Sequence, residues 1–271
     1  MTAERTYRLE LQYDGTGLHG WAKQEGCPTV QGSIEQALLT VLGHAPALRV
    51  AGRTDAGVHA RRQVVSFHLP TDVDRQRLVA SLNALTPPAI AVIRLVAAPD
   101  GFDARKDAVS RSYRYFLRVG GVMSPFRAAY CWRVHRPLDV AAMGEAATLL
   151  EGRHDFTAFT PTRTEHIFLR SLVLRCRWTR SREGSLVFEI EADAFLRHMV
   201  RTLVGTMVEI GRGKRTVDQF ERLLRGGRRD DAGPTAPPRG LVLWDVKYGS
   251  GRSNPRARSS AGSASPMRLI R

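Results

Sequence analysis

The stretch "SRSYRYFLRV", residues 110 to 119, sets Tyr113, Tyr115, Leu117 and Val119 on one face of the chain, the two-residue period of a half-buried strand. It is decisive because it begins a second pass through an order of elements already run once. Upstream, "YRLELQY" at 7–13 alternates in the same way, with Tyr7, Leu9, Leu11 and Tyr13 against Arg8, Glu10 and Gln12. A helix follows, in which Ile34, Ala37, Leu38, Val41 and Leu42 keep helical spacing and Gly43 supplies the stop. Short strands fit 47–51 and 63–69, and a second helix carries Leu78, Leu82 and Leu85 up to Pro87 and Pro88. "AIAVIRLV" at 89–96 then reads as a buried strand. That order, β-α-β-β-α-β, is the ferredoxin-like split unit.

Downstream of residue 119 the order returns with additions. An extra short strand fits near "AYCWRV" (129–134), and a helix from about Asp139 to Glu151 has Met143, Ala147 and Leu150 in register with Gly152 behind it. Strands at 169–179 and 185–192 alternate, with Leu172, Leu174, Cys176 and Trp178 on one face of the first and Leu186, Phe188, Ile190 and Ala192 on one face of the second. A long helix, "LRHMVRTLVGTMVEI" (196–210), comes next. Thr216 and Gln219 form a capping box for one more helix that Gly226 ends, and "GLVLWDVKY" (240–248) closes the fold. The chain therefore reads as α+β: tandem ferredoxin-like, RRM-like α/β sandwiches over 1–104 and 105–248, joined near 99–106. Their antiparallel sheets would join around a central cleft wide enough for a large ligand.

Composition narrows the kind of ligand. Across 271 residues, 41 Lys and Arg stand against 26 Asp and Glu, a net charge of +15 that favours a polyanion such as nucleic acid. Five of those arginines lie in 249–271, a Ser-, Gly- and Ala-rich stretch without acids that reads as a disordered basic tail. Hydrophobic residues at 43% and charged ones at 25% exclude wholesale disorder. The alternating pattern begins without an apolar leader, and no run approaches the roughly 18 apolar residues of a membrane span, so a cytoplasmic location is expected. Cys27, Cys131 and Cys176 are odd in number and far apart, which gives neither a disulfide framework nor a zinc spacing, and buried positions are expected for them. Eight histidines show no metal-site spacing, and neither a metal nor a cofactor is expected.

Two phosphate motifs fail on inspection. "QYDGTG" has Gln12 where an aspartyl phosphatase would hold its nucleophile, and "GRGKRT" has Val208 and Arg215 where a phosphate loop needs Gly and Ser or Thr. "RVAGRTDAGVHA", 49–60, is different. It puts Asp55 in a bend bracketed by Gly52 and Gly57, residues that permit positive φ and close approach of a ligand, with Arg53 two positions earlier. An aspartate in a turn also serves as an Asx-turn or cap. Yet a carboxylate beside a basic groove repels a phosphate backbone, so its presence there calls for a chemical reason.

"AGRTDAGVHA" resembles the signature of the tRNA pseudouridine synthase A family. "YDGT" with Gly20 and Trp21, "TVQGSIEQAL", "FDAR", "YRYFL", "HDFTAF", "AFLRHMVRTLVG" and "TAPPRGL" follow in the family's order, across residues 7 to 248. Leu18 stands where an aromatic is usual and Ala22 where Gln is usual. The resemblance implies a pseudouridine synthase fold and an isomerase that acts on uridines at positions 38 to 40 of the tRNA anticodon stem-loop, works as a homodimer, and uses neither cofactor nor metal. It implies that Asp55 is the catalytic aspartate and Arg201 the basic residue that keeps it charged. Tyr113 would pack against the target base, and Arg53 would help hold the extruded nucleotide. On spacing alone, Arg201 reads equally as a phosphate contact sharing a helix with Arg197, Tyr113 as a core aromatic, and Arg53 as half of a surface ion pair. A noncatalytic tandem RNA-binding module is the alternative, but the chain lacks the glycine- and aromatic-rich strand such a module would carry.

Overall fold

The computed structural model describes residues 4–71, 73–163 and 168–249; most of the basic tail, 250–271, lies outside the described residues. Strand β1 (Glu4–Tyr13) leads into α1 (Val30–Leu42), which Thr29 caps by accepting from the Gly32 amide and which Gly43 ends with φ 77°. A two-residue β2 (Arg49–Val50) and a long β3 (His59–Pro70) follow, then α2 (Arg75–Leu85), capped by Asp74, and β4 (Ile90–Ala97). In the sheet these strands lie in the order β4-β1-β3, with β2 on β3. That is the order of a split β-α-β unit.

The second half contributes β5 (Ala108–Val119), β6 (Trp132–Val134), α3 (Val140–Thr148), β7 (Gly152–Asp155), β8 (Arg170–Arg180) and β9 (Leu186–Ala192). Helices α4 (Met199–Gly211) and α5 (Val217–Leu223) and strand β10 (Leu241–Tyr248) complete it. Its strands run β10-β5-β9-β8, the same split-unit order, with β7 beyond β8 and β6 on β5. The halves form one sheet because β10 pairs antiparallel with β5 and parallel with β3, through Val242 opposite His59 and Leu243 opposite Ala60. The last strand of the second unit thus lies beside the third strand of the first. The capping box expected at Thr216 and Gln219 is present in both directions.

Several expectations are corrected. Clean alternation in β8 put Leu172 and Leu174 on the face of Cys176. A bulge between Val173 and Arg175 inverts that register, so Ser171 and Val173 are buried with Cys176 while Leu174 is 47% exposed. Val41 and Leu85, placed in their helices' apolar stripes, are exposed, at the C-terminal ends of α1 and α2. The long helix starts at Met199 rather than 196, since His198 takes a left-handed conformation that breaks the helical path. Helix α3 ends at Thr148, with Leu149 as its C-cap, rather than at Glu151, and Gly152, with φ 104°, opens β7, an edge strand that periodicity did not mark. Cys131 and Cys176 are buried, whereas Cys27 is only partly so.

One apolar face of the sheet and the stripes of α1 to α4 form a single core, with Trp21, Phe67, Tyr115, Phe156, Phe159 and Phe188 fully enclosed. Elsewhere on the sheet, Glu10 accepts from Arg62 and Arg94, Glu191 accepts from Ser110, Arg175 and Lys247, and Trp244 lies under the guanidinium groups of both Arg61 and Arg114.

Candidate active site

Residues 51 to 58 connect β2 to β3 at the place where β3, β10 and β5 run side by side. The first half of the loop is tied to the sheet. The Ala51 amide donates to the Val64 carbonyl, and the Ala51 carbonyl accepts from Nε and Nη2 of Arg111 at 3.1 and 2.8 Å. Gln63 Nε2 reaches the Gly52 carbonyl at 2.8 Å and the Tyr13 hydroxyl at 3.2 Å, and that hydroxyl meets Thr54 Oγ1 at 2.8 Å. Burial drives the Tyr13 phenol up to about 12, so it stays neutral and serves as a structural hydrogen-bonding group.

The bend itself is a turn in which the Val58 amide donates to the Asp55 carbonyl at 3.1 Å. Gly57 occupies its third position with φ 75°, and a Cβ there would come within 2.9 Å of Pro238. Gly52, expected to share that freedom, does not use it: its φ is not positive, and a Cβ would meet only the Tyr113 hydroxyl at 3.9 Å. The loop after β1 packs on this turn from above. Gly20 leaves no room for a side chain, since a Cβ would stand 2.7 Å from the Thr54 carbonyl, and the Gly57 amide donates to the Leu18 carbonyl. The unusual residue at 18 therefore takes part through its backbone.

The Asp55 side chain turns away from its own loop. Its Oδ2 accepts from Nη1 of Arg201 at 3.0 Å, across 146 positions of sequence, and His198 Nε2 stands 3.7 Å from the same oxygen. Arg201 rises from the first turn of α4 and is anchored a second time, through Nε to the Ala236 carbonyl at 2.8 Å, while the Ala236 amide returns a bond to the Arg201 carbonyl. The reading of Asp55 as a cap is thereby replaced by an ion pair between distant parts of the same chain, with side chains 24% and 14% exposed. Arg197 precedes the helix and is exposed, so the shared helical face proposed for Arg197 and Arg201 is not formed.

Tyr113 lies on β5 between Leu243 of β10 and Ile190 of β9, and its ring meets Phe195 edge-on at 4.9 Å. It is 7% exposed, and burial, with the nearby Tyr13 and Asp55, pushes its phenol well above the ordinary range. The structure thus brings Asp55, Arg201 and Tyr113 into one neighbourhood. Arg53 is exposed on the same loop, and no ion pair among the described residues involves it.

Three contributors escaped the sequence reading. Arg111 links the Ala51, Arg105 and Asp193 carbonyls, and the signal was there: a charge on the same strand face as Tyr113 and Tyr115. Phe195 lies just before the helix read over 196–210, and His198 falls inside that reading but outside the observed helix. Among the described residues no group of three or more His, Cys, Asp or Glu could hold a metal ion, and no helix is long and apolar enough to cross a membrane.

Comparison with known proteins agrees in kind. The family model described as tRNA pseudouridine synthase matches residues 146–249. The tRNA pseudouridine synthase A of Myxococcus xanthus is 41% identical over 260 residues, covering 94% of this chain and 95% of that protein. Its counterpart from Chlorobaculum tepidum is 42% identical, with 91% and 99% covered, and that from Frankia casuarinae 45% identical, with 89% and 88% covered. A chain of a solved Cbf5-Nop10-Gar1 complex aligns over 75% of this chain and 54% of its own at 10% identity with a TM-score of 0.32, a likeness too slight to bear on the site.

Proposed function

This chain belongs to the tRNA pseudouridine synthase A family, and from that premise we propose that Asp55 is the group through which it isomerises uridine to pseudouridine in tRNA. The reaction breaks the N1–C1′ bond and joins C5 to C1′. C5 loses a proton and N1 gains one, so the balance closes without an oxidant or co-substrate. Two routes begin at a carboxylate: attack on C1′, or removal of the 2′ proton to give a glycal. Each requires an ionised Asp55 beside the ribose. The observation that carries the proposal is the 3.0 Å pair between Asp55 and Arg201, which fixes one carboxylate oxygen by a charge-assisted hydrogen bond.

The other roles follow from position. Tyr113, neutral and held edge-on by Phe195, offers its face or hydroxyl to the uracil. Arg53, exposed beside the bend, meets the extruded nucleotide or its phosphate, because a stacked base must leave its stack before C1′ and C5 can be reached. The target is the anticodon stem-loop at positions 38 to 40. The two split units, 1–104 and 105–248, act as sandwiches either side of the bound arm, and the protein works in the cytoplasm as a homodimer. An unmodified tRNA transcript treated with the purified protein and mapped for pseudouridine by carbodiimide-primed stops tests the target. Stops confined to 38–40 are expected, and stops confined to another arm would refute the assignment.

A further inference from the structure

Helix α4 is entered through a strained residue. His198 has φ 61° and ψ −5°, and it is the sole non-glycine residue with positive φ among the described residues. Its side chain does not cap the helix it precedes. The conformation is held by the buried Leu196 and Met199 on either side, by the Met199 amide bonding back to the Leu196 carbonyl, and by the His198 carbonyl accepting from Thr202. Strain of this kind persists where the surroundings over-determine it, and it aims the imidazole at Asp55.

Asp55 has a reason to be flanked there. Arg201 grips it with a single N–H, from Nη1, while its Nε is committed to Ala236. A carboxylate held by one bond at one oxygen can still swing about its last torsion, which is soft and roughly two-fold. His198 Nε2, 3.7 Å from the oxygen Arg201 already holds, is too far for a hydrogen bond and occupies the space beside that oxygen, where a carboxylate turning out of the Arg201 bond on that side would meet the ring. Oδ1 accepts no hydrogen bond among the described residues and is left for the substrate.

We propose that His198 is a positioning residue for Asp55: its imidazole walls off the Oδ2 side of the carboxylate, so that Oδ1 faces the ribose of the target uridine. Neutrality suits the role. Burial lowers the pKa of the imidazole, and Arg201, Arg197 and Arg229 reinforce this against the opposing charge of Asp55. A neutral ring blocks rotation without adding a second cation that would compete with the substrate for the carboxylate.

The inference rests on the reading of Asp55 given above, and its test separates the two. Glycine accepts φ 61° freely, so His198→Gly removes the imidazole without strain and is expected to unfold no earlier than the parent. On a tRNA transcript, His198→Gly should lose roughly tenfold in kcat, with KM for tRNA within about twofold. Millimolar imidazole should restore part of that loss in His198→Gly and none in Asp55→Asn. Unchanged kcat in His198→Gly beside an inactive Asp55→Asn would overturn the role of His198 alone. A fall in kcat that imidazole does not restore would also overturn it and assign the residue to the backbone. An active Asp55→Asn would remove the premise itself.

Discussion

Arg201 has two obligations, and its chemistry follows from meeting both at once. Nε bonds to the Ala236 carbonyl while Nη1 bonds to Asp55, a geometry that a planar guanidinium can satisfy and a single ammonium cannot. Arg201→Lys is therefore expected to lower kcat by roughly 10- to 100-fold, the worth of one hydrogen bond to a charged group, with KM for tRNA little changed. Steady-state kinetics on a transcript checks this, and a rise in KM alone would make the residue a phosphate contact. At this scale the sequence was readable where a residue's type restricts its use. Asp55 between two glycines in a basic chain invited a chemical reading, and family likeness pointed to Arg201. Backbone angles are less legible: of the two glycines that bracket Asp55 only Gly57 uses a positive φ, and nothing in the spacing around His198 signals its left-handed conformation.

Helix α4 delivers Arg201, and its seat is tight. A Cβ at Gly205 would stand 1.7 Å from the Pro234 carbonyl oxygen, and one at Gly233 would stand 2.7 Å from the Cα of Thr206, so helix and loop meet backbone to backbone. Gly205→Ala is expected to cost about 1–3 kcal/mol of stability by overpacking, despite alanine's better helix propensity. It should also lower activity, because the 233–236 segment that anchors Arg201 must move. Denaturant unfolding measures the first effect, and a variant as stable as the parent would show that the loop yields freely. Elements were legible to the degree that their periods ran unbroken. Helices α1, α3 and α5 and strands β1, β5 and β9 emerged from spacing and caps. The bulge in β8 and the short β7 did not, since a one-residue slip leaves composition unchanged while inverting the buried face.

At the scale of the whole molecule, the two split units form one sheet through β10, and polar clusters on that sheet tie strands together. Burial would raise the pKa of Glu10, but hydrogen bonds from Arg94 and Arg62 outweigh it and hold the carboxyl below its usual 4.5. Glu191 is held low in the same way, by Lys247 and Ser110 against burial. Both groups bind fewer protons folded than unfolded, so their contribution is complete above about pH 4.5 and is lost as pH falls through the lower folded values. Glu10→Gln should cost about 1 kcal/mol at pH 7, the half-exposed arginines limiting the loss, and should flatten the fall in stability below pH 4.5. Thermal unfolding from pH 7 to 3 checks the slope, and an unaltered acid limb would contradict it. The tandem order was legible because each unit repeats the same periods, whereas the pairing of β10 with β3 was not, being a contact between distant strands with no local signal. Under the proposed function, this architecture serves to present the Asp55 carboxylate to RNA. The most direct test is tritium release from 5-tritiated uridine in an unmodified tRNA transcript, with tRNA binding measured in parallel for the parent protein and Asp55→Asn. The account predicts release by the parent, none by Asp55→Asn, and comparable binding by both; release by Asp55→Asn at the parental rate would contradict it.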